Sequence, residues 1–193
     1  RSLVVSGLPF WLSNLLMTVY SRIDTLMLSA MKGFAATGLY NAAYKITDVF
    51  TFIPLAVSAA FYPTLSRLFK SDKEGMLGIL YKRAFYYLVI IALPMSFAIT
   101  LLAERLMKFL YSSEFHPAAA ALQILVWAEL FIFMNYLMGY MLNAIDKQKL
   151  FTISTAIYAA INIILNLLLI PKFSFTGAAS VALTTQLLQA GTL

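Results

Sequence analysis

Five formally charged side chains stand inside long apolar runs: Arg22 and Asp24 in VYSRIDTLML, Lys45 and Asp48 in NAAYKITDVF, and Glu129 in ILVWAELFIF. A charge at the centre of a membrane helix costs at least about 2.5 to 3.5 kcal/mol on insertion scales, so it faces a partner, a wet cavity or a cargo. Two arrangements answer that cost. One is a structural ion-pair network, and the other is a polar central cavity that handles an ionic cargo. Helix geometry limits the local pairs. Lys45 and Asp48 are three apart and share a face, which allows an ion pair between them. Arg22 and Asp24 are two apart, roughly 200° around the helix from each other, and cannot satisfy one another. The short connection to the next span predicts a hairpin in which Asp24 meets Lys45. Arg22 is then left to Glu129, Asp48 or an anionic ligand. A guanidinium suits phosphate, because its planar fork makes two parallel hydrogen bonds to it. Asn14, Tyr20, Tyr44, Asn135, Tyr140 and Asn162 add hydroxyls and amides for a sugar, or serve as polar contacts between helices.

The elements that carry these residues follow from composition. The chain is 62% hydrophobic and 11% charged, with a mean hydropathy of +0.84, whereas soluble domains are about one quarter charged. This is the composition of a multi-pass membrane protein in the lipid bilayer. A crossing helix needs about 20 apolar residues, and six candidate spans are expected at 8–30, 38–66, 84–103, 118–144, 151–170 and 177–193. Their long unbroken apolar runs are helical rather than barrel strands. The fold class is all-α, a six-helix transmembrane bundle with no second domain. A chain that begins at Arg1 and stops at Leu193 inside an apolar run is expected to be a lobe truncated at both ends.

Charge also sets orientation. Arg1, Arg67, Lys70, Lys73, Lys82, Arg83, Lys147 and Lys149 fall on one side of this layout, and Lys32, Arg105, Lys108 and Lys172 on the other. The first side is expected to be cytoplasmic. Basic loops beside anionic headgroups account for the net charge of +6 without a nucleic-acid partner. Lys70 to Arg83 has the pattern of an amphipathic helix on the inner surface, and Glu104 to Pro117 that of an interfacial segment on the outer one. Pro54, Pro63 and Pro94 favour bends in the spans, as does Pro9 in the first. There is no cysteine, and His116 is the only histidine, so no metal site and no cofactor is expected. No loop is long enough to carry the acid, base or metal groups of a membrane glycosyltransferase. A non-enzyme is expected.

Read in order, SRIDTLML, ATGLYNAAYKI, Ile53-Pro54, FYPTLSR, Leu110-Tyr111 with Phe115, the run from Ala118 to Leu125, and FTGAA at Phe175 to Ala179 resemble the polysaccharide (Wzx-type) flippases of the multidrug/oligosaccharidyl-lipid/polysaccharide flippase superfamily. The resemblance covers essentially the whole chain. It implies a protein of two six-helix lobes, of which this chain is similar to the second, and a missing N-terminal lobe as its partner. It further implies alternating-access transport of a polyprenyl-pyrophosphate-linked oligosaccharide across the cytoplasmic membrane for polysaccharide biosynthesis. Arg22 and Lys45 would fill the role of the cations that receive the anionic headgroup. Asp24, Asp48 and Glu129 beside them leave open a proton- or sodium-coupled exporter of drugs or metabolites, as in another branch of the superfamily.

Overall fold

The computed structural model of the chain describes residues 22–71 and 74–192, and these are helical almost throughout. Arg1, Pro9, Asn14, Tyr20, Lys73 and Leu193, with the first part of the 8–30 span, lie outside the described residues. Helix α1 is Ile23–Asp48, and a 3-10 turn at Val49–Thr51 joins it to α2 at Phe52–Lys70. Then come α3 at Glu74–Leu110, α4 at Ala118–Ala144 and α5 at Gln148–Thr192. Among the described residues, four continuous stretches are long and apolar enough to cross a membrane: Ile23–Lys70, Gly75–Leu110, Ala118–Ala144 and Gln148–Thr192.

Two of these stretches double back on themselves. In α1 the reversal is at Gly33, whose φ of 79° is left-handed backbone that a side chain would resist. Across it, Thr25 Oγ1 donates to Asn41 Oδ1 at 3.3 Å and Tyr40 Oη to Asp24 Oδ2 at 3.4 Å. Residues sixteen apart along one straight helix would stand about 24 Å apart. In α5 the reversal is at Ser174, with φ 53°, three residues after Pro171. Gly177 then lies so close to the arriving helix that a Cβ there would sit 2.7 Å from the Leu169 carbonyl oxygen. Glycine admits that approach because it presents only hydrogen. Tyr158 with Thr192, at 2.9 Å, and Gln189 with Thr155, at 3.0 Å, tie the two arms further along.

Pro54 cannot donate to the carbonyl four residues before it, and the chain tightens to 3-10 geometry at Val49–Thr51 just upstream. Helix α3 departs from the sequence reading. It runs unbroken for 37 residues, so 74–83 is its first turns rather than a separate surface helix. The reason is one buried stripe, Leu77, Ala84, Leu88, Ala92, Ser96, Ile99, Ala103 and Met107, that recurs at helical spacing through the whole length. Its opposite face exposes Ile79, Ile90, Phe97, Leu101 and Phe109, as a lipid-facing surface does.

Helix α4 is the axis of the bundle and touches all the other helices. The core lies along it in layers, from Leu65, Leu77 and Ala144 at one end, through Ala84, Leu88, Phe133 and Leu137, to Leu28, Tyr40, Met107, Leu122 and Ile170 near the two reversals. Alanines 118, 119, 121 and 128 let neighbouring backbones approach it closely, since lipid supplies no hydrophobic drive between helices.

Candidate intramembrane polar site

The hairpin at Gly33 brings Arg22 back alongside the second arm of α1. Its Nη2 lies 3.5 Å from Asp48 Oδ2, and its Cζ stands 4.7 Å from the centre of the Tyr44 ring. Both charged side chains remain nearly half exposed, at 44% and 47%. Among the described residues a carboxylate and an aromatic ring fix the guanidinium's direction, and no other acceptor is within hydrogen-bond distance of it. One turn beyond Asp48, Thr51 Oγ1 donates to Glu129 Oε2 at 3.3 Å, and Glu129 is only 3% exposed.

Asp24 points into a different environment. Asn166 Nδ2 donates to its Oδ1 at 2.6 Å, and Tyr40 Oη to its Oδ2. The same Asn166 nitrogen donates to Asn162 Oδ1 at 2.9 Å, and Asn162 Nδ2 reaches Thr185 Oγ1 at 3.5 Å. A cavity of about 90 Å³ opens beside this cluster, lined by Asp24, Tyr158, Asn162, Thr185, Gln186 and Gln189 with Ile23. Asp24 lies nine residues before Gly33, Asn166 eight before Ser174 and Thr185 eleven after it. At 1.5 Å per residue these are distances of about 12 to 17 Å along the helices from the reversals.

The five charges therefore split into groups instead of meeting at one place. The expected Asp24 to Lys45 pair does not form. Lys45 is exposed on the second arm of α1, and among the described residues no carboxylate is within ion-pair distance of it. The local Lys45 to Asp48 pair is also not made, because Arg22 takes Asp48. Both expectations needed the rotation of each helix about its axis, which hairpin topology alone does not supply. Of the amides and hydroxyls singled out in the sequence, Tyr44 joins Arg22 and Asn162 joins Asp24. Asn135 Nδ2 donates to Gln186 Oε1 at 2.7 Å, and Tyr140 packs edge-on to Tyr62. Asn166, Tyr40, Thr51 and Thr185 were missed. A signal for Asn166 existed: in INIILNLLLI two amides stand four apart on one face of an otherwise aliphatic helix.

Apolar helices long enough to cross a membrane, with ionic and amide clusters between them, fit a membrane transporter. Residues 9–168 match the MatE family, and the chain belongs to that family of the MOP superfamily. It is 30% identical over 182 residues to the probable flippase AglR of Haloferax volcanii, covering 92% of this chain and 38% of AglR. It is 24% identical over 180 residues to the capsular polysaccharide biosynthesis protein CapF of Staphylococcus aureus, covering 93% of this chain and 45% of CapF. The fold is similar, with a TM-score of 0.75 at 14% identity, to the outward-facing conformation of a multidrug resistance MATE family transporter, over 90% of this chain and 39% of that one. The chain thus spans less than half the length of each of these relatives. The flippase resemblance read from the sequence is borne out by the MatE match and by the likeness to the probable flippase AglR.

Proposed function

We propose that this chain is a six-crossing lobe of a two-lobe transporter that flips a polyprenyl-pyrophosphate-linked oligosaccharide across the cytoplasmic membrane by alternating access, for polysaccharide biosynthesis. In this reading Gly33 and Ser174 are the turns between successive crossings, and the second lobe, which supplies the facing wall, belongs to the rest of the protein. The supporting observation is Arg22. It is a half-exposed guanidinium aimed by Asp48 and Tyr44, with N–H groups free for an anionic headgroup. Lys45, exposed on the same hairpin and without an ionic partner among the described residues, contributes a second cation. Asp48 holds Arg22 until a phosphate competes for it. Asp24 and Glu129 complete the polar interior. No step requires bond chemistry by the protein.

A second reading, a proton- or sodium-coupled exporter of drugs or metabolites, is favoured by the fold likeness to the multidrug transporter and by carboxylates at mid-depth. The two separate in the full-length protein. If the flippase reading holds, Arg22→Ala and Lys45→Ala abolish surface-polysaccharide export while the protein stays in the membrane at normal level. Normal export in both variants would sink it. Ion-dependent efflux of small amphiphiles that disappears in Asp24→Asn or Glu129→Gln would favour the exporter instead.

A further inference from the structure

Helix α3 carries no formal charge over the twenty residues from Ala84 to Ala103, about 30 Å of helix and the thickness of a hydrocarbon core. With that run in the bilayer, Lys82 and Arg83 mark the level where acyl chains give way to headgroups. Met76, Ile79, Arg83, Tyr86 and Ile90 recur at spacings of three and four and share one face of the helix. All five are exposed, so the lipid-facing stripe continues past the charged level.

A groove opens along this face where α3 meets the end of α2. It has a volume of about 280 Å³ and is lined by Thr64 and Leu68 from α2 and by Met76, Ile79, Leu80 and Arg83 from α3. Leu65 and Leu77 are buried behind it and pack the two helices together. Side chains on a helix lean toward its N-terminal end, so the stem of Arg83 rises beside Ile79 and Leu80 and carries the guanidinium toward the headgroups. Among the described residues no carboxylate is within ion-pair distance of Arg83, and the Thr64 hydroxyl has no hydrogen bond.

We propose that this groove binds an anionic phospholipid, with Arg83 and Thr64 on the phosphate and the acyl chains running down past Tyr86 and Ile90. Charge and apolarity together select the occupant. From Arg67 to Arg83 the chain has five basic residues, Arg67, Lys70, Lys73, Lys82 and Arg83, against two acidic ones, Asp72 and Glu74, which favours an anion. A free phosphate would leave Leu68, Met76, Ile79 and Leu80 uncovered, and an apolar helix would bury Arg83 without a partner. A phospholipid meets both demands. Its phosphate takes two parallel hydrogen bonds from the guanidinium, and its hydrocarbon covers the aliphatic wall. This end of the bundle is the one expected to be cytoplasmic, where the leaflet is rich in anionic lipid. The bound lipid ties α3 to α2, the helix that continues from Asp48 and its partner Arg22. Its binding does not depend on the transport reading.

The test is native mass spectrometry of the purified full-length protein in micelles containing equal amounts of phosphatidylglycerol and phosphatidylcholine. The wild type should retain phosphatidylglycerol in preference. Arg83→Gln should weaken that binding about fivefold, the weight of one basic side chain against an anionic leaflet. Ile79→Glu, which puts a negative charge into the groove, should abolish the preference. Both positions are exposed, so the variants should fold. Lys149→Gln, at the same end of the bundle but outside the groove, should leave the preference unchanged, and glycerol 3-phosphate in excess should not displace the lipid. Equal retention of the two lipids by the wild type overturns the proposal, as does behaviour of Arg83→Gln and Ile79→Glu indistinguishable from Lys149→Gln. Displacement by glycerol 3-phosphate would make the groove a free-anion site, and displacement by a polyprenyl pyrophosphate would give it to a transport substrate. Either result also overturns it.

Discussion

Asn166 tests the polar interior of the lobe most sharply, because one nitrogen serves two oxygens on two different segments. The perturbation is a double-mutant cycle of Asn166→Leu and Asp24→Asn in the full-length protein. Leucine keeps the branched outline of asparagine with bulkier methyl groups, and the steric cost of those methyls cancels in the cycle, which leaves the loss of the amide. A hydrogen bond to a charged group is worth about 1.5 to 3 kcal/mol. Polar contacts between membrane helices average only about 0.6 kcal/mol in the best-measured case, because the unfolded chain in lipid finds other partners. The 2.6 Å distance to a carboxylate places this bond at the strong end, and the coupling should exceed about 1 kcal/mol. Asn166→Leu alone should be markedly destabilising, since it leaves the Asp24 carboxylate with only the longer of its two described hydrogen bonds, from Tyr40. In the Asp24→Asn background the same substitution should cost much less. The assay is reversible unfolding of all four proteins in mixed micelles, with coupling taken as the departure from additivity. A coupling below about 0.3 kcal/mol, within the range of independent sites, would refute the placement of Asn166 against Asp24.

Gly177→Ala puts a methyl 2.7 Å from the Leu169 carbonyl oxygen, so the α5 reversal must open. A loss of about 1 to 3 kcal/mol is expected in the same unfolding assay. Thr51→Val removes the described donor to buried Glu129. It should cost about 1 to 3 kcal/mol, and Glu129→Gln should recover part of that loss. Asp48→Asn breaks a half-exposed ion pair and should change stability by no more than about 1 kcal/mol, while export changes because Arg22 loses its orienting carboxylate.

Much of the architecture was legible in the sequence, for reasons that also explain the rest. The 118–144 span matches α4 at both ends, because Pro117 and the Asp146-Lys147 pair bracket an apolar run with no internal ambiguity. The breaks expected between 30 and 38 and between 170 and 177 fall at Gly33 and Ser174. Gly33 announces itself by residue type, but a serine with positive φ does not, and only Pro171 upstream hints at it. Helix α3 extends beyond the 84–103 span at both ends. Hydropathy stops at Lys82 and Arg83, whereas the buried stripe continues to Leu77 because exposed basic side chains can cover apolar surface with their stems. In the polar site, the separation of Arg22 from Asp24 followed from helix periodicity. The partners did not, because Lys45 and Asp48 depend on how far each arm is rotated. The partner of Asp24 is the uncharged Asn166 instead of Lys45.

The central claim is that Arg22 and Lys45 receive an anionic lipid headgroup. The most direct measurement is flipping of a polyprenyl-pyrophosphate-linked oligosaccharide in proteoliposomes, read as the fraction of headgroup that becomes accessible to an external glycosidase. Flipping by the full-length protein is expected to fall at least tenfold in Arg22→Ala and in Lys45→Ala, with reconstitution unchanged. Flipping at wild-type rate in both variants, or no flipping by the wild type alongside ion-driven efflux of small amphiphiles, would contradict it.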